Sequence, residues 1–179
     1  MRTLQMLVSI AAIALPALAQ TPAAHPLLHL SASFDFVVRA PFAKAAPLFG
    51  PEGERPWAGI HWSPEFIHPQ PARDVEGAVF TIQHGVRKAV WVNTVFDLDA
   101  GRFQYVYFIP DLMVTVIDVH LQREVADSTK VNVVYTRTAL TAEGNEHVSS
   151  MNEDDKKSGK EWEQAINDYL GGGQIGSKP

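Results

Sequence analysis

Asp118 and His120 are the first residues in this chain whose types and spacing could support acid–base chemistry. A carboxylate beside an imidazole can pass a proton to or from a substrate. The two residues lie two positions apart in the alternating segment 114–123, and in a strand that spacing puts both side chains on one face. The apolar residues of the segment occupy the other face. We therefore predict that Asp118 and His120 face solvent, opposite Thr138 and Thr136, and do not catalyse.

Three histidines and one glutamate raise the question of a metal site, because both residue types are common metal ligands. The candidates are His61, Glu65, His68 and His84. The first two have the four-residue spacing that a helix would bring together, but Pro64 and Pro69 disfavour a helix there. We expect no metal ion. The serines lie outside the strand–Gly-x-Ser-x-Gly–helix setting of a nucleophile.

Arg137 stands at an inward, otherwise apolar position of the segment 131–140, and a buried guanidinium needs a partner. One interpretation makes Arg137 the anchor for a carboxylate or other acidic group of a ligand. The other places it near the strand end, where it extends to solvent or pairs with an acidic side chain of the chain itself. The candidate partners are Glu52, Glu54 and Asp111, and we favour this second interpretation.

An aromatic, proline-rich segment over residues 54–69 contains too many prolines for a long helix. Its Trp57, Trp62 and Phe66 could form a lid over a pocket and stack on a flat apolar ligand. The same three side chains could equally seal one end of the core. The sequence does not separate these two roles.

The elements that would position these residues are strands flanked by helices. Residues 28–38 alternate between apolar and polar side chains, as in a half-buried strand, and Pro41 precedes a short helix over 42–49. Five further strands follow, and the short polar turns between them favour an antiparallel meander. They are expected at 78–84, 88–96, 103–109, 114–123 and 131–140.

The hydrophobic pattern also predicts how the last two strands pair across a loop over 126–130. The predicted pairs are Val125–Val131, Leu121–Tyr135, Val119–Arg137 and Ile117–Ala139. This register puts nearly all apolar residues on one face, and a slip by one residue would mix the two faces. By the same alternation, the inward residues of the strand before this hairpin are Phe103, Tyr105, Tyr107 and Ile109.

A long amphipathic helix is predicted to close the domain. Ser149, Ser150 or Asn152 is expected to cap its first turn, where acidic residues suit the helix dipole. Since only this helix is long enough to cover one face of the sheet, it must do so. Its buried stripe is predicted to be Gly159, Trp162, Ile166, Tyr169 and Leu170, and Gly171-Gly172-Gly173 ends it.

Composition excludes several classes of function. The chain has 179 residues, with 15 Lys and Arg against 20 Asp and Glu, so its net charge of −5 disfavours a nucleic-acid partner. It has no cysteine, which excludes disulfides, thiolate nucleophiles and Cys-ligated metal centres. A hydrophobic content of 46% is that of one globular domain. No cofactor is expected.

Residues 1–19 have the layout of a secretory signal peptide. Arg2 precedes an apolar run, and Ala17-Leu18-Ala19 forms a small-x-small cleavage site. The run is shorter than the roughly 20 residues that a spanning helix needs. Cleavage after Ala19 would leave a leader over 20–27, a domain over 28–170 and a flexible tail over 171–179. We therefore expect a periplasmic or secreted protein with no stable membrane insertion after cleavage.

The order of elements, together with several local motifs, resembles the START-like (SRPBCC) superfamily, which includes polyketide cyclase/dehydrase-like proteins. The motifs are Ala40-Pro41 with Leu48-Phe49, Pro51-Glu52-Gly53-Glu54-Arg55, Trp62-Ser63-Pro64-Glu65-Phe66, Gly77-Ala78-Val79-Phe80, Trp91-Val92, Thr138-Ala139-Leu140 with Gly144-Asn145, and Trp162 with Tyr169-Leu170. The resemblance implies the α+β helix-grip fold, in which one curved antiparallel sheet of about six to seven strands wraps around a long C-terminal helix. Members bind lipids, sterols, polyketides and plant hormones, and some are enzymes. The resemblance carries no shared catalytic residue over to this chain.

These observations predict a binding protein. The gap between a curved sheet and its helix is a natural pocket for a small hydrophobic or amphipathic molecule, which the protein would carry or sense. The predicted ligand-binding residues are Trp57, Trp62, Phe66, Phe80, Tyr105, Tyr107, Tyr135, Arg137, Trp162 and Ile166.

Two alternatives stay open. A cyclase/dehydratase-type enzyme could use the same cavity, with Arg137 or a tyrosine polarising a carbonyl and His61 or His68 moving a proton. A domain with a filled core could instead bind a protein partner through a strand edge or the tryptophan-rich segment. A cavity would favour the binding protein or the enzyme. An inward titratable group with a shifted pKa would favour the enzyme. A large exposed apolar patch would favour the domain that binds a protein partner.

Overall fold

The structure, a computed structural model, describes residues 26–124 and 127–172. The predicted signal peptide, most of the predicted leader and most of the predicted tail lie outside these residues. Val125 of the predicted hairpin pairing also lies outside them.

The described residues form one seven-stranded antiparallel sheet in the order β1-β7-β6-β5-β4-β3-β2. Strands β2 to β7 follow one another as a meander, and β1 pairs with β7 to complete the far edge. The predicted strands are all present, with ends within two residues of those expected. The strands are β1 (His29–Val38), β2 (Glu65–His68), β3 (Val79–His84), β4 (Arg87–Asp97), β5 (Arg102–Ile109), β6 (Met113–Arg123) and β7 (Thr129–Ala139).

Strand β2 was not predicted from the sequence. It has only four residues and lies between Pro64 and Pro69, within the aromatic segment. A strand this short gives almost no alternation to detect, and the flanking prolines suit its position at the edge of the sheet.

The helices differ in part from prediction. Helix α1 (Phe42–Ala45) continues into a 3₁₀ turn at Ala46–Leu48, close to the predicted short helix. The predicted closing helix is two helices, α2 (Ala142–Asp155) and α3 (Gly159–Leu170). The expected cap at Ser149, Ser150 or Asn152 is wrong, because these residues lie inside α2. Thr141 is the cap, and its hydroxyl accepts a hydrogen bond of 3.1 Å from the Gly144 amide.

Helix α2 was not predicted as a separate helix, because much of its buried face is polar. The buried residues recur at helical spacing as Gly144, Val148, Asn152 and Asp155. An amphipathic pattern is recognised by apolar residues at three- and four-residue intervals, and among these four buried residues only Val148 has a large apolar side chain. From the sequence, Asn152 and Asp155 were therefore assigned to a solvent-exposed first turn of the closing helix, although both are more than nine-tenths buried.

The register of the β6–β7 hairpin is displaced by four residues from the predicted one. Leu121 pairs with Val131, Ile117 with Tyr135 and Thr115 with Arg137. The predicted faces are nevertheless correct, because a shift by an even number of residues keeps each side chain on its own side of the sheet. Asp118 and His120 thus lie on the outer face, where their partners in β7 are Val134 and Asn132 rather than Thr138 and Thr136.

The core lies between the concave face of the sheet and the helices. Phe103, Tyr105, Tyr107 and Ile109 point inward as predicted, each with at most 3% of its surface exposed. Helix α2 packs on β7 and β1, and α3 packs on β1. Of the predicted stripe of α3, Gly159 and Ile166 are buried, whereas Tyr169 is exposed, so the stripe is narrower than expected. None of the helices in the described ranges has the length and hydrophobicity needed to cross a bilayer.

Candidate functional site

A cavity of about 320 Å³, the main cavity, lies between the sheet and helix α3. The chain has four tryptophans, and all of them line this space. The remaining wall comes from the β-strands, from α3 and from the loop after α1. The lining residues are Glu54, Trp57, Ala58, Trp62, Trp91, Tyr105, Ile117, Tyr135, Glu161, Trp162 and Ala165.

A second cavity of about 280 Å³, the side cavity, adjoins the main one and shares part of its wall. Trp62, Trp91 and Tyr135 line both spaces. The side cavity extends toward the end of the sheet that α2 covers, where Tyr107, Arg137 and Met151 line it. The aromatic side chains of the common wall therefore divide one aromatic interior into two compartments.

The loop that follows α1 holds two tryptophans in the cavity wall. The Trp57 indole nitrogen donates to the Leu48 carbonyl at 2.7 Å, and that of Trp62 donates to the Pro51 carbonyl at 3.0 Å. These bonds satisfy the polar end of each ring and leave its π faces available. Trp57 is only 3% exposed and belongs to the hydrophobic core. It therefore both lines the cavity and seals the core, the two roles between which the sequence did not decide.

Glu54 is a buried carboxyl in the wall of the main cavity, only 4% exposed. The Tyr105 hydroxyl donates to its Oε1 at 2.9 Å, and the Gly50 amide does so at 3.4 Å. The loop around it is fixed by Asp74, whose two carboxylate oxygens accept hydrogen bonds of 2.8 Å from the Glu52 and Gly53 amides. Glu54 is thus held by hydrogen bonds from the Tyr105 hydroxyl and the Gly50 amide, on a loop that Asp74 fixes.

Burial raises the pKa of Glu54 to about 8, against the hydrogen bonds from Tyr105 and Gly50, which lower it. Burial also raises the pKa of Tyr105, and the neighbouring Glu54 adds to that rise. A carboxyl with a pKa near neutral can give or take a proton at physiological pH. Sequence analysis named Glu54 only as a partner for Arg137, and a glutamate in a proline-rich loop carries no pattern that would show its burial.

Arg137 is buried, as its inward position predicted, and it pairs with an acidic side chain of the chain itself, as the favoured interpretation expected, although not with one of the three that were named. It does not extend to solvent, and its partner is Asp155 rather than Glu52, Glu54 or Asp111. Its Nε and Nη2 donate to the two carboxylate oxygens of Asp155, both at 2.8 Å. Its Nη1 donates to the Tyr107 hydroxyl and, at 3.1 Å, to the Thr115 hydroxyl.

These bonds occupy the guanidinium with groups of the chain itself. Burial alone would lower the pKa of Arg137, but the hydrogen bonds to Asp155 and the charge of that carboxylate hold it above its ordinary value. The Tyr135 ring lies against the guanidinium, 4.7 Å from its centre. Arg137 therefore ties β7 to the end of α2, and it reaches the side cavity with most of its donors already used.

His84 is a second titratable group at the side cavity. Its ring stacks on Tyr107 with 5.6 Å between centroids, and on Trp91 with 6.2 Å. Burial, together with the positive charge of Arg137, lowers its pKa. Its Nε2 and the Trp91 indole nitrogen are buried without a hydrogen-bond partner among the described residues. Trp91 was not predicted to line the site, although it lies at every-second-residue spacing from Ala89 and Asn93, on the same inward face of β4.

The predicted ligand-binding residues divide into three groups. Trp57, Trp62, Tyr105, Tyr135 and Trp162 line the main cavity. Tyr107 and Arg137 line the side cavity. Phe66, Phe80 and Ile166 line neither. Phe80 and Ile166 are fully buried core residues, and Phe66 stacks on Phe80 with 5.6 Å between ring centroids.

The histidines that the enzyme alternative invoked are poorly placed for it. His61 is exposed at the rim of the side cavity, and His68 is exposed on the edge strand β2, away from both cavities. No group of three His, Asp or Glu side chains converges on one point in the part of the chain that the structure describes.

No family model and no curated protein matches this sequence. Solved structures do match its fold. Ara h 8.0201 is 15% identical with a TM-score of 0.57, over 80% of this chain and 99% of the other. A putative uncharacterized protein from Rhizobium leguminosarum is 12% identical with a TM-score of 0.58, over 79% and 96%. Truncated norcoclaurine synthase from Thalictrum flavum is 10% identical with a TM-score of 0.59, over 80% and 94%.

These structural matches, together with the seven-stranded antiparallel sheet and its C-terminal helices, show that the chain has the α+β helix-grip fold predicted from the sequence. The resemblance drawn from the sequence is confirmed at this level. With identities of 15% or less, the matches speak for the fold and not for a particular ligand or reaction.

Proposed function

We propose that this protein is an exported carrier or sensor that binds a small hydrophobic or amphipathic molecule in the main cavity. The observation that supports this most directly is the cavity itself. Its volume of about 320 Å³ falls within the usual range of ligand pockets, and aromatic side chains form most of its wall. The cavity also argues against the third alternative, a domain with a filled core.

Filling the cavity from helix α3 is expected to abolish binding. Ala165 lines the main cavity, so Ala165→Phe would place a ring inside it and lower affinity at least tenfold, since an overfilled site excludes its ligand. Gln164→Phe is the matched control, because Gln164 is the adjacent residue on α3 and is exposed. Native mass spectrometry of protein purified from its own cells, with a denatured control, would measure the bound ligand.

The wild type and Gln164→Phe should carry a small-molecule mass that is lost on denaturation, and Ala165→Phe should not. Equal ligand occupancy in both variants would place the ligand elsewhere. A wild type that carries no ligand, and whose tryptophan fluorescence responds to no small apolar compound, would contradict the proposed function.

Export is the second part of the proposal, and it rests on residues 1–19 of the sequence. The intact mass of protein from its own cells is expected to lack these nineteen residues. The protein should also be recovered from the periplasm or the medium. An uncut chain in the membrane fraction would contradict export and make the apolar run an anchor.

A cyclase/dehydratase-type enzyme is the second candidate, and the Glu54–Tyr105 pair is the observation that favours it. The protonated carboxyl could give its proton to a substrate carbonyl oxygen, and the resulting carboxylate could take up a proton from the substrate in a later step. Conversion of the bound molecule separates the two candidates. A carrier releases its ligand unchanged, whereas in an enzyme Glu54→Gln would still bind the substrate but would release it unconverted.

A further inference from the structure

We propose that the ligand of the main cavity is a small organic cation, an amine or quaternary ammonium group on an apolar body, with Glu54 as its counter-charge. This inference rests on the binding function proposed above and names the chemical class of its ligand. The proposed ligand has the opposite charge to the one that an Arg137 anchor would bind, because that interpretation required an acidic ligand.

The charge of the cavity wall is the first argument. Among the described residues that line the main cavity, Glu54 and Glu161 are acidic, and none is Lys, Arg or His. Glu161 lies on α3 at the exposed rim. An anionic ligand would meet one or two carboxylates and no compensating charge, whereas a cation would find a counter-charge inside the cavity and a second at its entrance.

The aromatic rings are the second argument, because they surround the space on several sides. Trp57 and Trp162 meet edge to face with 5.3 Å between centroids, and Trp62 and Trp91 do so with 5.4 Å. Rings at such angles form the walls of a box and do not make a single flat platform. The face of an indole ring carries negative electrostatic potential, so a box of tryptophans attracts a cation more strongly than a neutral group of the same shape.

Glu54 supplies the third argument, since it has an unused oxygen. Both of its hydrogen bonds in the described structure go to Oε1, and Oε2 receives none. A buried carboxylate that lacks a counter-charge is costly, and the group avoids this cost by holding its proton. A cation beside Oε2 would stabilise the ionised form and pair with it.

Binding should therefore release a proton. The ionisable groups around Glu54 are Tyr105 on β5, whose hydrogen bond lowers the pKa of Glu54, and Asp74 on the loop before β3, whose negative charge raises it. Glu161 on α3 lines the same cavity. None of the three supplies a positive charge, so burial keeps the proton on Glu54 until a cation binds. Because the pKa of Glu54 is about 8, the affinity for a permanent cation should rise about tenfold between pH 7 and pH 9.

Phenyltrimethylammonium and tert-butylbenzene form a matched pair of probes for this inference. They have the same shape, only the first is charged, and neither titrates. The quenching of intrinsic tryptophan fluorescence reports directly on the cavity, because all four tryptophans line it. The wild type should bind the cation about tenfold more tightly than the neutral probe at pH 9. Glu54→Gln should lose that preference and its pH dependence, while it keeps its affinity for tert-butylbenzene.

The outcomes separate this inference from the function beneath it. Equal binding of both probes, or tighter binding of tert-butylbenzene, would overturn the cation inference and leave the hydrophobic pocket standing. A cation preference that survives in Glu54→Gln and does not change with pH would also overturn it, since Glu54 is the group to which it assigns the counter-charge. If neither probe changes the fluorescence, the cation inference fails, and the proposed function fails with it only if native mass spectrometry also finds no bound ligand.

Discussion

Asp155→Ala is expected to lower the free energy of unfolding by about 3–5 kcal/mol, because it leaves the Arg137 guanidinium buried without its counter-charge. The side chains of Arg137 and Asp155 are only 3% and 9% exposed, so water cannot replace the lost carboxylate. Tyr107 and Thr115 would still accept from Nη1. Nε and Nη2, which donate to Asp155 at 2.8 Å, would each lose their acceptor.

Urea denaturation of purified variants would measure this loss. Lys88→Ala is the matched control, since it breaks the exposed Lys88–Glu65 pair and should cost less than about 1 kcal/mol. The double variant Arg137→Met with Asp155→Leu should recover most of the stability, because apolar residues of similar size often replace a buried pair at little cost. A loss for Asp155→Ala no larger than that for Lys88→Ala would show that the buried pair does not support the fold.

The same contact changes how Arg137 itself can be tested. Arg137→Leu would leave Asp155 buried and unpaired, so a loss of ligand binding in that variant could follow from misfolding alone. From the sequence, Glu52, Glu54 and Asp111 were the candidate partners of this inward arginine, and Asp155 was not among them. Its partner lies on a helix whose buried polar face made that stretch look exposed, and pattern reasoning therefore had no means of pairing the two residues.

The sheet was predictable because alternation in each strand is a local property. Residues 29–38 and 102–109 show their inward faces in the sequence itself. Register is not local, since it depends on where the turn falls, and the β6–β7 hairpin keeps the same faces when it is shifted by four residues. The faces were therefore predicted correctly while the paired residues were not.

The residues of the cavity wall also differ in whether the sequence alone could identify them. Trp57, Trp62 and Trp162 were named as wall residues from their size and aromatic character, but the same reasoning also named Phe66 and Phe80, which line neither cavity. Trp91 could have been found from the alternation of β4. Glu54 could not, because only the backbone contacts of its loop with Asp74 carry it into the interior. The group that matters most for the proposed chemistry was thus the least visible in the sequence.

Glu54→Gln is expected to stabilise the protein at alkaline pH and to change its stability little at acid pH. The pKa of Glu54 is about 8 in the folded protein, above its ordinary value of 4.5, so the folded state binds this proton more tightly than the unfolded state does. The stability from the protonated group is fully present below about pH 4.5 and is lost as the pH rises through about 8. Glutamine resembles the protonated form at every pH, so the variant should gain on the order of 5 kcal/mol over the wild type at pH 9.

Thermal or urea unfolding of both proteins from pH 4 to pH 9 would measure this difference, and taking the difference cancels the contributions of other groups such as Asp74, whose pKa burial also raises. Glu65→Gln is the matched control of opposite sign. The hydrogen bond from Lys88 lowers the pKa of Glu65, so its replacement should not stabilise the protein at pH 9. A gain for Glu54→Gln that is the same at every pH would mean that the carboxyl ionises as freely in the folded protein as in the unfolded one. The proton release and the pH dependence proposed for cation binding would then be wrong, because a freely ionised Glu54 has no proton to release.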